Sequence, residues 1–416
     1  MSLSEGVSAS LRYKAYPSGV IAANTQPTSA SDPGATGGQL LRRVSSTLNL
    51  VKDTYQSAEV RTDRQISDFR HGIKRVTGSV TGEFSPGTYW DFIEAACRGT
   101  EVAALAFSNT EFTSIAASSV ASTLTLGSGD AVAQGFRVGH IIQLANTTEA
   151  LNNGRNFLLT SISSGGTVLG VYPAPTTMGA DTSFNIVTMG KSVYPPSSNH
   201  VSRKFLIEAY HSDIDISRVF TECRIGGINL GLPATGMGTV EVPMMGRDME
   251  VYSDSNAPFF GSPTSENTNG IVAAVNGLLM VAGTAVGVVT GITINLALNP
   301  TSDAVVGQNF VPEVFLGRAN VTGQFTAMLQ DSTFLNYFKN ETEISILVFL
   351  TTTSAIDAPA MSVYLPRVKM GDASVGLQGE GAQIITAPYQ ALKSTATEST
   401  TGIAATTIFF TDSLAS

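Results

Sequence analysis

Charged side chains are scarce in this 416-residue chain. Lys and Arg number 24 and Asp and Glu 33, so charged residues make up 14% of the sequence, against about 25% in an ordinary soluble domain. The net charge of −9 argues against a protein that grips nucleic-acid phosphates. Apolar residues reach 43%, which is enough for sizeable cores and excludes disorder over most of the chain. A surface so poor in charge suits a subunit that hides much of itself against neighbours.

Residues that carry catalysis or bind metals are equally sparse. Cys97 and Cys223 are too few for a disulfide framework, and the four histidines lack the spacing of a metal clamp. A Gly-x-Ser-x-Gly nucleophile elbow is absent, and the Gly-Lys-Ser at 190–192 lacks the upstream glycine of a phosphate loop. Asp213 and Asp215 could share one strand face, but solvated loop acids are the commoner case. We predict that the chain is not an enzyme and uses no cofactor or metal.

A convincing membrane helix is also missing. Residues 267–302 carry no charge, which is long enough for a membrane span. Apolar side chains in its second half alternate with small or polar ones, which is typical of a strand with one buried face; they are Val286, Val288, Ile292, Ile294, Leu296 and Leu298. The first residues contain no apolar core of a secretory signal. We therefore expect no membrane insertion and a chain that is made and kept in a cytoplasm.

Short alternating runs between Gly, Asn, Asp or Ser dominate the rest of the sequence and indicate antiparallel strands. Strands are predicted at 75–84, 136–144, 155–162, 204–210, 228–232, 239–244, 319–328 and 343–350. Two segments predict helices: 87–97, with Ser85 as N-cap and Pro86 in the first turn, and 331–339, where Asp331 can cap. The predicted fold is mainly β with two short helices.

The sequence contains an internal repeat. Val-Thr-Gly-Glu-Phe at 80–84 and Val-Thr-Gly-Gln-Phe at 321–325 each precede a predicted helix. Later in each half comes a second block, which aligns Leu230 with Val375. Two unrelated β domains could share such strand vocabulary by chance, but two blocks in the same order favour duplication. The first copy is longer because about five further strands follow Glu101, enough for a small inserted β-barrel or sandwich.

These patterns divide the chain into four parts. Residues 1–45 are an N-terminal arm, rich in Gly, Pro, Ser and Thr between 15 and 40. Residues 46–103 with 191–258 form a discontinuous first β domain, and 104–190 form the inserted domain. Residues 259–416 form the second β domain with a C-terminal arm.

Charge is concentrated between residues 52 and 75, where six basic and four acidic side chains alternate. A solvated hairpin is one interpretation. The other interpretation is a protruding loop whose mixed charges set its register on a complementary neighbour. A nucleic-acid-binding patch is the interpretation that fits this segment least, because acidic residues stand between the basic ones. The candidate contact residues are Lys52, Asp53, Glu59, Arg61, Asp63, Arg64, Asp68 and Arg70.

Several blocks in order resemble a known family. The segment 48–99, with YQSAEVRTDRQISDFRHGIKRVTGSVTGEF, resembles the opening of tail tube (major tail) proteins from long-tailed, non-contractile, siphovirus-type bacteriophages. The segment 204–249, from KFLIEAYHSDIDISRVF onward, resembles their continuation, and 138–173 is similar to a small β insert that some of them carry.

The resemblance implies a structural virion protein. It implies two tandem tail-tube-type β-sandwich or barrel domains, each with one short helix, whose sheets join between subunits into rings that stack into the tail tube, the conduit for DNA ejection. Two copies per chain would let three chains form a pseudo-sixfold ring, with 52–75 reaching the next ring. The implied partners are the chain itself, a tape measure protein and DNA inside the lumen, and tail terminator and tail-tip proteins. Assembly in the host cytoplasm is implied as well. Alternatives are a tail-tip or baseplate ring protein of the same fold and, less consistently, a β-rich surface adhesin.

Overall fold

The computed structural model describes residues 3–17, 33–376 and 379–415. Within these residues the chain forms 28 strands and three α-helices, and the strands make two antiparallel sheets. The mainly β fold predicted from the sequence is therefore confirmed. None of the described helices is long and apolar enough to cross a membrane.

The first elements form a strand-rich unit that ends in a helix. They are β1 (Ala9–Ala15), β2 (Gln39–Leu40), β3 (Ser45–Ser46), β4 (Asn49–Gln56), β5 (Phe69–Glu83) and α1 (Trp90–Cys97).

Eight strands follow and pair only with one another to make the smaller sheet, in the order β12-β7-β8-β11-β10-β9-β13-β6. They are β6 (Ala106–Ser108), β7 (Ile115–Ser118), β8 (Thr123–Leu126), β9 (Ile141–Ala145), β10 (Asn156–Ile162), β11 (Val168–Tyr172), β12 (Met178–Asp181) and β13 (Asn185–Thr188). The sequence predicted about five strands here. We call this segment the insert.

The chain then returns to the larger sheet. Its next strands are β14 (Lys191–Val193), β15 (Phe205–His211), β16 (Ile216–Ile225), β17 (Gly227–Pro233), β18 (Thr239–Gly246) and β19 (Asp248–Ser253). The last group consists of β20 (Gly277–Val281), β21 (Thr284–Ala285), β22 (Val289–Ala297), β23 (Asn320–Met328), α2 (Thr333–Lys339), β24 (Ile344–Thr351), β25 (Ala360–Met370), β26 (Ser374–Val375), β27 (Ile384–Ala391), α3 (Glu398–Thr401) and β28 (Phe409–Asp412).

Two runs of elements have the same order and the same pairings. In the first copy, β3 and β4 pair with β5, β5 with β18, and β18 with β17. In the second copy, β22 pairs with β23, β23 with β27, and β27 with the end of β25 and with β26. We call these strands the front layer. The back layers also match: they contain β1-β15-β16-β19 in the first copy and β20-β24-β25-β28 in the second, so β25 belongs to both layers of its copy. A helix stands at the same place in each copy, α1 after β5 and α2 after β23.

The shared Val-Thr-Gly motif has the same packing role in both copies. Tyr89 lies over Gly82 and donates its hydroxyl hydrogen to the carbonyl oxygen of Arg42, 2.7 Å away. Tyr389 lies over Gly323 and donates to the carbonyl oxygen of Thr293, 2.8 Å away. A Cβ on either glycine would overlap the phenol above it. The glycine is thus required because a tyrosine crosses the strand to reach its neighbour.

Strand registers correct one part of the repeat alignment. Leu230 pairs with Val240 of β18, which in turn pairs with Gly82. In the second copy Met370 pairs with Tyr389 of β27, which pairs with Gly323. Met370 is therefore the structural equivalent of Leu230, and the predicted alignment of Leu230 with Val375 is wrong. In the first copy β16 continues into β17 along the same partner strand, β18, with a shift in register between Ile225 and Asn229. The strand β25 likewise passes from β24 to β27 at Val368, so the equivalence follows from strand pairing and not from the shared sequence block.

Helix starts differ in detail from the prediction. The helix α1 begins at Trp90 with Tyr89 as N-cap, while Ser85 instead bonds the hydroxyl of Thr88 in the preceding turn. Ser85 is therefore not the N-cap. For α2 the N-cap is Ser332, and the predicted cap, Asp331, lies one residue earlier, where its carboxylate accepts a hydrogen bond from the Thr333 amide at 2.8 Å. The helix α3 had no prediction.

The cores show how the parts are tied together. One hydrophobic cluster contains buried residues of both layers of both copies, from Leu11 of β1 to Phe410 of β28. The insert's cluster also takes in second-copy side chains, among them Phe349 and Phe409. Within the predicted arm, β1 pairs along its whole length with β15, so this part lies in the first copy's back layer rather than free. Residues 18–32 of that arm lie outside the described residues.

Candidate subunit interfaces

The two copies join edge to edge inside the chain. The strand β17 of the first copy pairs antiparallel with β22 of the second over seven residue pairs, with Leu230 opposite Ile294 and Asn229 opposite Asn295. Leu230 and Ile294 are both buried. The alternating pattern read in the sequence places Ile294 and its apolar neighbours on this buried side, as predicted. The two front layers therefore form one continuous sheet.

One face of this joined sheet is polar and nearly free of basic groups. A single row of paired residues crosses both copies, and its members are half-buried or exposed: Ser45, Thr81, Glu241, Asn229, Asn295, Thr322, Gln390 and Lys369. The neighbouring row contains Glu83, Thr239, Gly231, Thr293, Gln324 and Pro388. Lys369 stands at the end of its row, with its ammonium 3.3 Å from a carboxylate oxygen of Glu341.

Both ends of the joined front layer are open edges. Within the described residues, β3 pairs with no strand other than β5, and β26 with none other than β27. Val44, beside β3, is 66% exposed, whereas Ile294 at the equivalent position of β22 is 1% exposed because β17 covers it. Unpaired strand edges are templates for pairing with another chain.

The charged segment forms the hairpin of β4 and β5. Residues 76–83 of β5 pair with β18, and on the other side 76–77 also pair with β4 and 80–81 with β3. Lys74 makes one bridge to Phe310. Within the described residues, 69–73 pair only with β4. Five residues of strand span about 17 Å, and the turn at 57–68 extends the hairpin further. The hairpin therefore projects beyond the sheet that holds it.

Most predicted contact residues pair within this hairpin. Arg61 reaches Asp63 at 3.4 Å and Glu59 at 3.8 Å, Arg70 reaches Asp68 at 2.7 Å, and Asp53 lies 3.2 Å from Arg75. Lys52 and Arg64 make no ion pair within the described part of the chain, and Lys52 stands across from Lys74 in the ladder. The structure thus brings Glu59, Arg61 and Asp63 together, and Asp68 with Arg70. Exposed pairs of this kind add little stability.

Sequence reasoning missed the apolar side chains of the hairpin. Val60 is 98% exposed and Ile66 is 67% exposed, and Tyr55 and Phe69 are about half exposed. Tyr55 lies across Gly72, where a Cβ would overlap its ring. The signal was present as apolar residues interspersed among the charges. Exposed apolar groups on a projecting element are typical of an interaction surface.

The base of the hairpin is fixed by a buried charge network that the sequence did not reveal. Lys74 lies 2.6 Å from a carboxylate oxygen of buried Asp248. Arg247 is buried, pairs with Glu222 and donates to the carbonyl oxygen of Val311 at 3.0 Å. Val311 belongs to the loop between β22 and β23, so this contact ties the two copies together.

The same network continues through a second carboxylate. Lys204 lies 2.6 Å from Glu222 and 3.0 Å from Glu313, and Arg224 lies 2.9 Å from Glu313. Glu313 stands in the loop 298–319, which takes the place of the β4–β5 hairpin in the second copy. This loop is held down on the first copy, so only the first copy projects a hairpin.

Within the described residues, the side chains considered for catalysis do not gather into one site; His211 and Asp213 both contact the Ser4 hydroxyl, at 3.0 and 3.1 Å. His140 is buried against Ser192, 3.2 Å away, and burial lowers its pKa to about 3. Burial raises the pKa of both cysteine thiols. Asp213 accepts hydrogen bonds from the N-terminal segment and Asp215 from Tyr210. Among the residues that the structure describes, no group of three or more His, Cys, Asp or Glu is placed to hold a metal ion.

These features define a class: a mainly β structural protein. They are a continuous sheet with open edges, a polar face and a projecting hairpin. Comparison with known families gives the same class. The sequence profile of the family described as phage tail tube protein matches residues 18–391, and the chain belongs to this family. The family is structural rather than enzymatic. No curated protein sequence matches the chain significantly.

Proposed function

We propose that this protein polymerises into stacked rings that form the tail tube of a siphovirus-type phage, the conduit for DNA ejection. The observation that carries the proposal is the β17–β22 seam, where two equivalent copies already share one sheet. The same pairing, repeated between chains, uses both open edges and closes a ring. Pairing all edges also removes the aggregation hazard of an open sheet.

We propose that the ring contains three chains. Each chain supplies two positions of a pseudo-sixfold ring, and the division is a first domain at 46–103 with 191–258, an insert at 104–190 and a second domain at 259–416. Because β1 pairs with β15, the first domain also includes residues 9–15 of the arm. One insert per chain gives the outer surface threefold decoration.

We propose that the polar face of the joined sheet lines the lumen. Its rows consist of small polar residues, Gly and Pro with two glutamates, and the ammonium of Lys369 is paired with Glu341. A wall without free basic groups gives phosphates no grip, so DNA and the tape measure protein can occupy the lumen without sequence-specific binding. Tail terminator and tail-tip proteins meet the two ends of the tube, which assembles in the host cytoplasm before becoming part of the virion.

The projecting hairpin is the proposed contact with the adjacent ring. Its exposed Val60 and Ile66 supply apolar area, and its alternating charges set the register. Because the loop 298–319 is held down by Glu313, each ring presents three hairpins rather than six.

Electron microscopy of the purified protein tests the ring. Image analysis should give tubes with a central hole, three inserts per ring and threefold true symmetry. Six identical inserts per ring would exclude the three-chain arrangement, and failure of the folded protein to form tubes under any assembly condition would reject the function.

Hairpin variants test the stacking contact separately. Val60→Ser with Ile66→Ser should shorten tubes and lower their yield, and Asp63→Lys with Asp68→Lys should do the same by reversing charge on the contact. Each monomer should stay folded, because exposed substitutions change stability little. The control is Val120→Ser in the insert, where a valine is 96% exposed far from the hairpin in the chain. Normal tube length in both double variants would remove this role from the hairpin.

A further inference from the structure

The seam inside the chain can be used as a template for the seam between chains. In the first copy, one row of the front layer reads Ser45, Thr81, Glu241 and Asn229 from edge to edge. The second copy's row continues with Asn295, Thr322, Gln390 and Lys369. Position by position, Ser45 is therefore equivalent to Asn295, and Lys369 to Asn229.

The internal seam pairs the last member of the first row with the first member of the second, Asn229 with Asn295. Applying this step once more pairs Lys369 of one chain with Ser45 of the next. The adjacent internal pair, Leu230 with Ile294, maps in the same way onto Met370 and Val44.

We infer that residues 369–371 of one chain pair antiparallel with residues 43–45 of a second copy, with Met370 opposite Val44. This inference rests on the proposed ring and specifies its closing contact. The pair is chemically consistent, since two apolar side chains meet as they do at Leu230 and Ile294. Cross-strand apolar pairs of this kind stabilise a sheet, and the contact explains a valine that is 66% exposed beside a strand edge.

The seam is shorter than its internal template. On the second copy's edge, β24 already occupies the same side of β25 up to Val368, which pairs with Ile344. On the first copy's edge, Leu41 is buried and its amide donates to the carbonyl oxygen of Leu11. These two contacts limit the strand pairing between chains to about three residues on each side, centred on Met370 and Val44.

Cysteine cross-linking of assembled tubes tests the register. Val44→Cys with Met370→Cys in one chain should give covalent dimers and closed trimers after oxidation, seen on a non-reducing denaturing gel. Ser45→Cys with Lys369→Cys tests the next row at two surface positions and should give the same products. The native Cys97 and Cys223 are buried and do not compete.

A register control uses the same open edge. Ser374 pairs with Thr386 of β27, whereas Met370 pairs with Tyr389 of the same strand. Thr386 and Tyr389 are three residues apart. This places Ser374 about 10 Å from the predicted contact, too far for a disulfide. Val44→Cys with Ser374→Cys should therefore remain monomeric on the gel. Tubes in which this pair cross-links, or in which neither predicted pair does, would overturn the register while leaving the ring intact.

A charge substitution gives an independent measurement. Val44→Asp should raise the protein concentration needed for assembly at least tenfold, because it puts a carboxylate against Met370 in a closing sheet. The monomer should stay folded, since the side chain lies outside the core. Val120→Asp is the matched control and should assemble normally. Assembly of Val44→Asp at the wild-type concentration would contradict the inference, whereas wild-type protein that never forms tubes would instead reject the proposed function.

Discussion

Replacing Glu222 by Gln should destabilise the fold far more than removing an acid from the hairpin. Glu222 is 4% exposed and is the shared partner of two buried cations, Arg247 and Lys204. The substitution keeps the shape but leaves both cations less compensated. Breaking a buried ion pair from one side costs about 3–5 kcal/mol. Because the amide oxygen of Gln can still accept one hydrogen bond, we expect a loss of about 3 kcal/mol in the free energy of unfolding.

Asp63→Asn is the matched control, since it also removes one negative charge and keeps the shape. Asp63 pairs with Arg61, and both side chains are nearly half exposed. An exposed pair contributes about 0.2–1 kcal/mol, so this variant should unfold almost as the wild type does. Urea unfolding can be followed by the fluorescence of Trp90, the only tryptophan of the chain, which is buried in α1.

A second variant separates charge imbalance from loss of packing. Glu222→Gln combined with Arg247→Met removes both members of the buried pair and should recover part of the lost stability, because the remaining cation, Lys204, still faces Glu313. A loss below about 1 kcal/mol for Glu222→Gln, or a double variant less stable than the sum of its two single substitutions, would refute the role given to the network.

Three further predictions concern other parts of the chain. Burial holds the pKa of His140 at about 3, below its ordinary value of 6.5, so the unfolded state gains the proton first and the free energy of unfolding falls as the pH drops below about 6.5. His140→Gln should lessen this loss by about 2 kcal/mol at pH 5. Equal acid sensitivity of the variant and the wild type in urea unfolding would contradict the prediction. Gly323→Ala should cost about 1–3 kcal/mol in urea unfolding because its Cβ would lie 2.4 Å from the Tyr389 hydroxyl oxygen, whereas Gly179→Ala, with open space around it, should change little. Replacing 104–190 by a Gly/Ser linker should still give tubes, which should be thinner in micrographs. The yield of soluble protein should fall, because second-copy side chains that pack against the insert become exposed. Soluble, folded protein that never polymerises would contradict the prediction.

Periodicity and repeated motifs predicted much of the architecture. Alternating apolar residues around Ile294 predicted a half-buried strand, and β22 has that pattern. Val-Thr-Gly followed by a helix predicted two equivalent copies, and both motifs lie in equivalent front strands. Such signals are local, since strand spacing and helix starts depend on neighbouring residues.

Long-range pairing was less accessible. Nothing near Leu230 in the sequence indicates that its equivalent is Met370, because the equivalence depends on which distant strands pair, β18 with Leu230 and β27 with Met370. The candidate interfaces were also predictable only in part from the sequence. The charges located the hairpin, but the exposure of Val60 depends on which side chains the fold leaves uncovered. The buried Arg247 network joins residues that lie far apart in the chain, so no spacing rule could have found it.

The β17–β22 seam also bears on how quickly and cleanly a ring can close. A ring of six separate single-copy subunits needs five bimolecular encounters, each of which loses translational and rotational freedom worth an estimated 4–15 kcal/mol at a 1 M standard state. Three double-copy chains need two. In the proposed three-chain ring, half of the seams would thus be made during folding, at the effective concentration set by a covalent linker rather than by expression level. Incomplete rings would then lack whole chains rather than single positions, which would leave fewer partial species to become trapped on the growing tube.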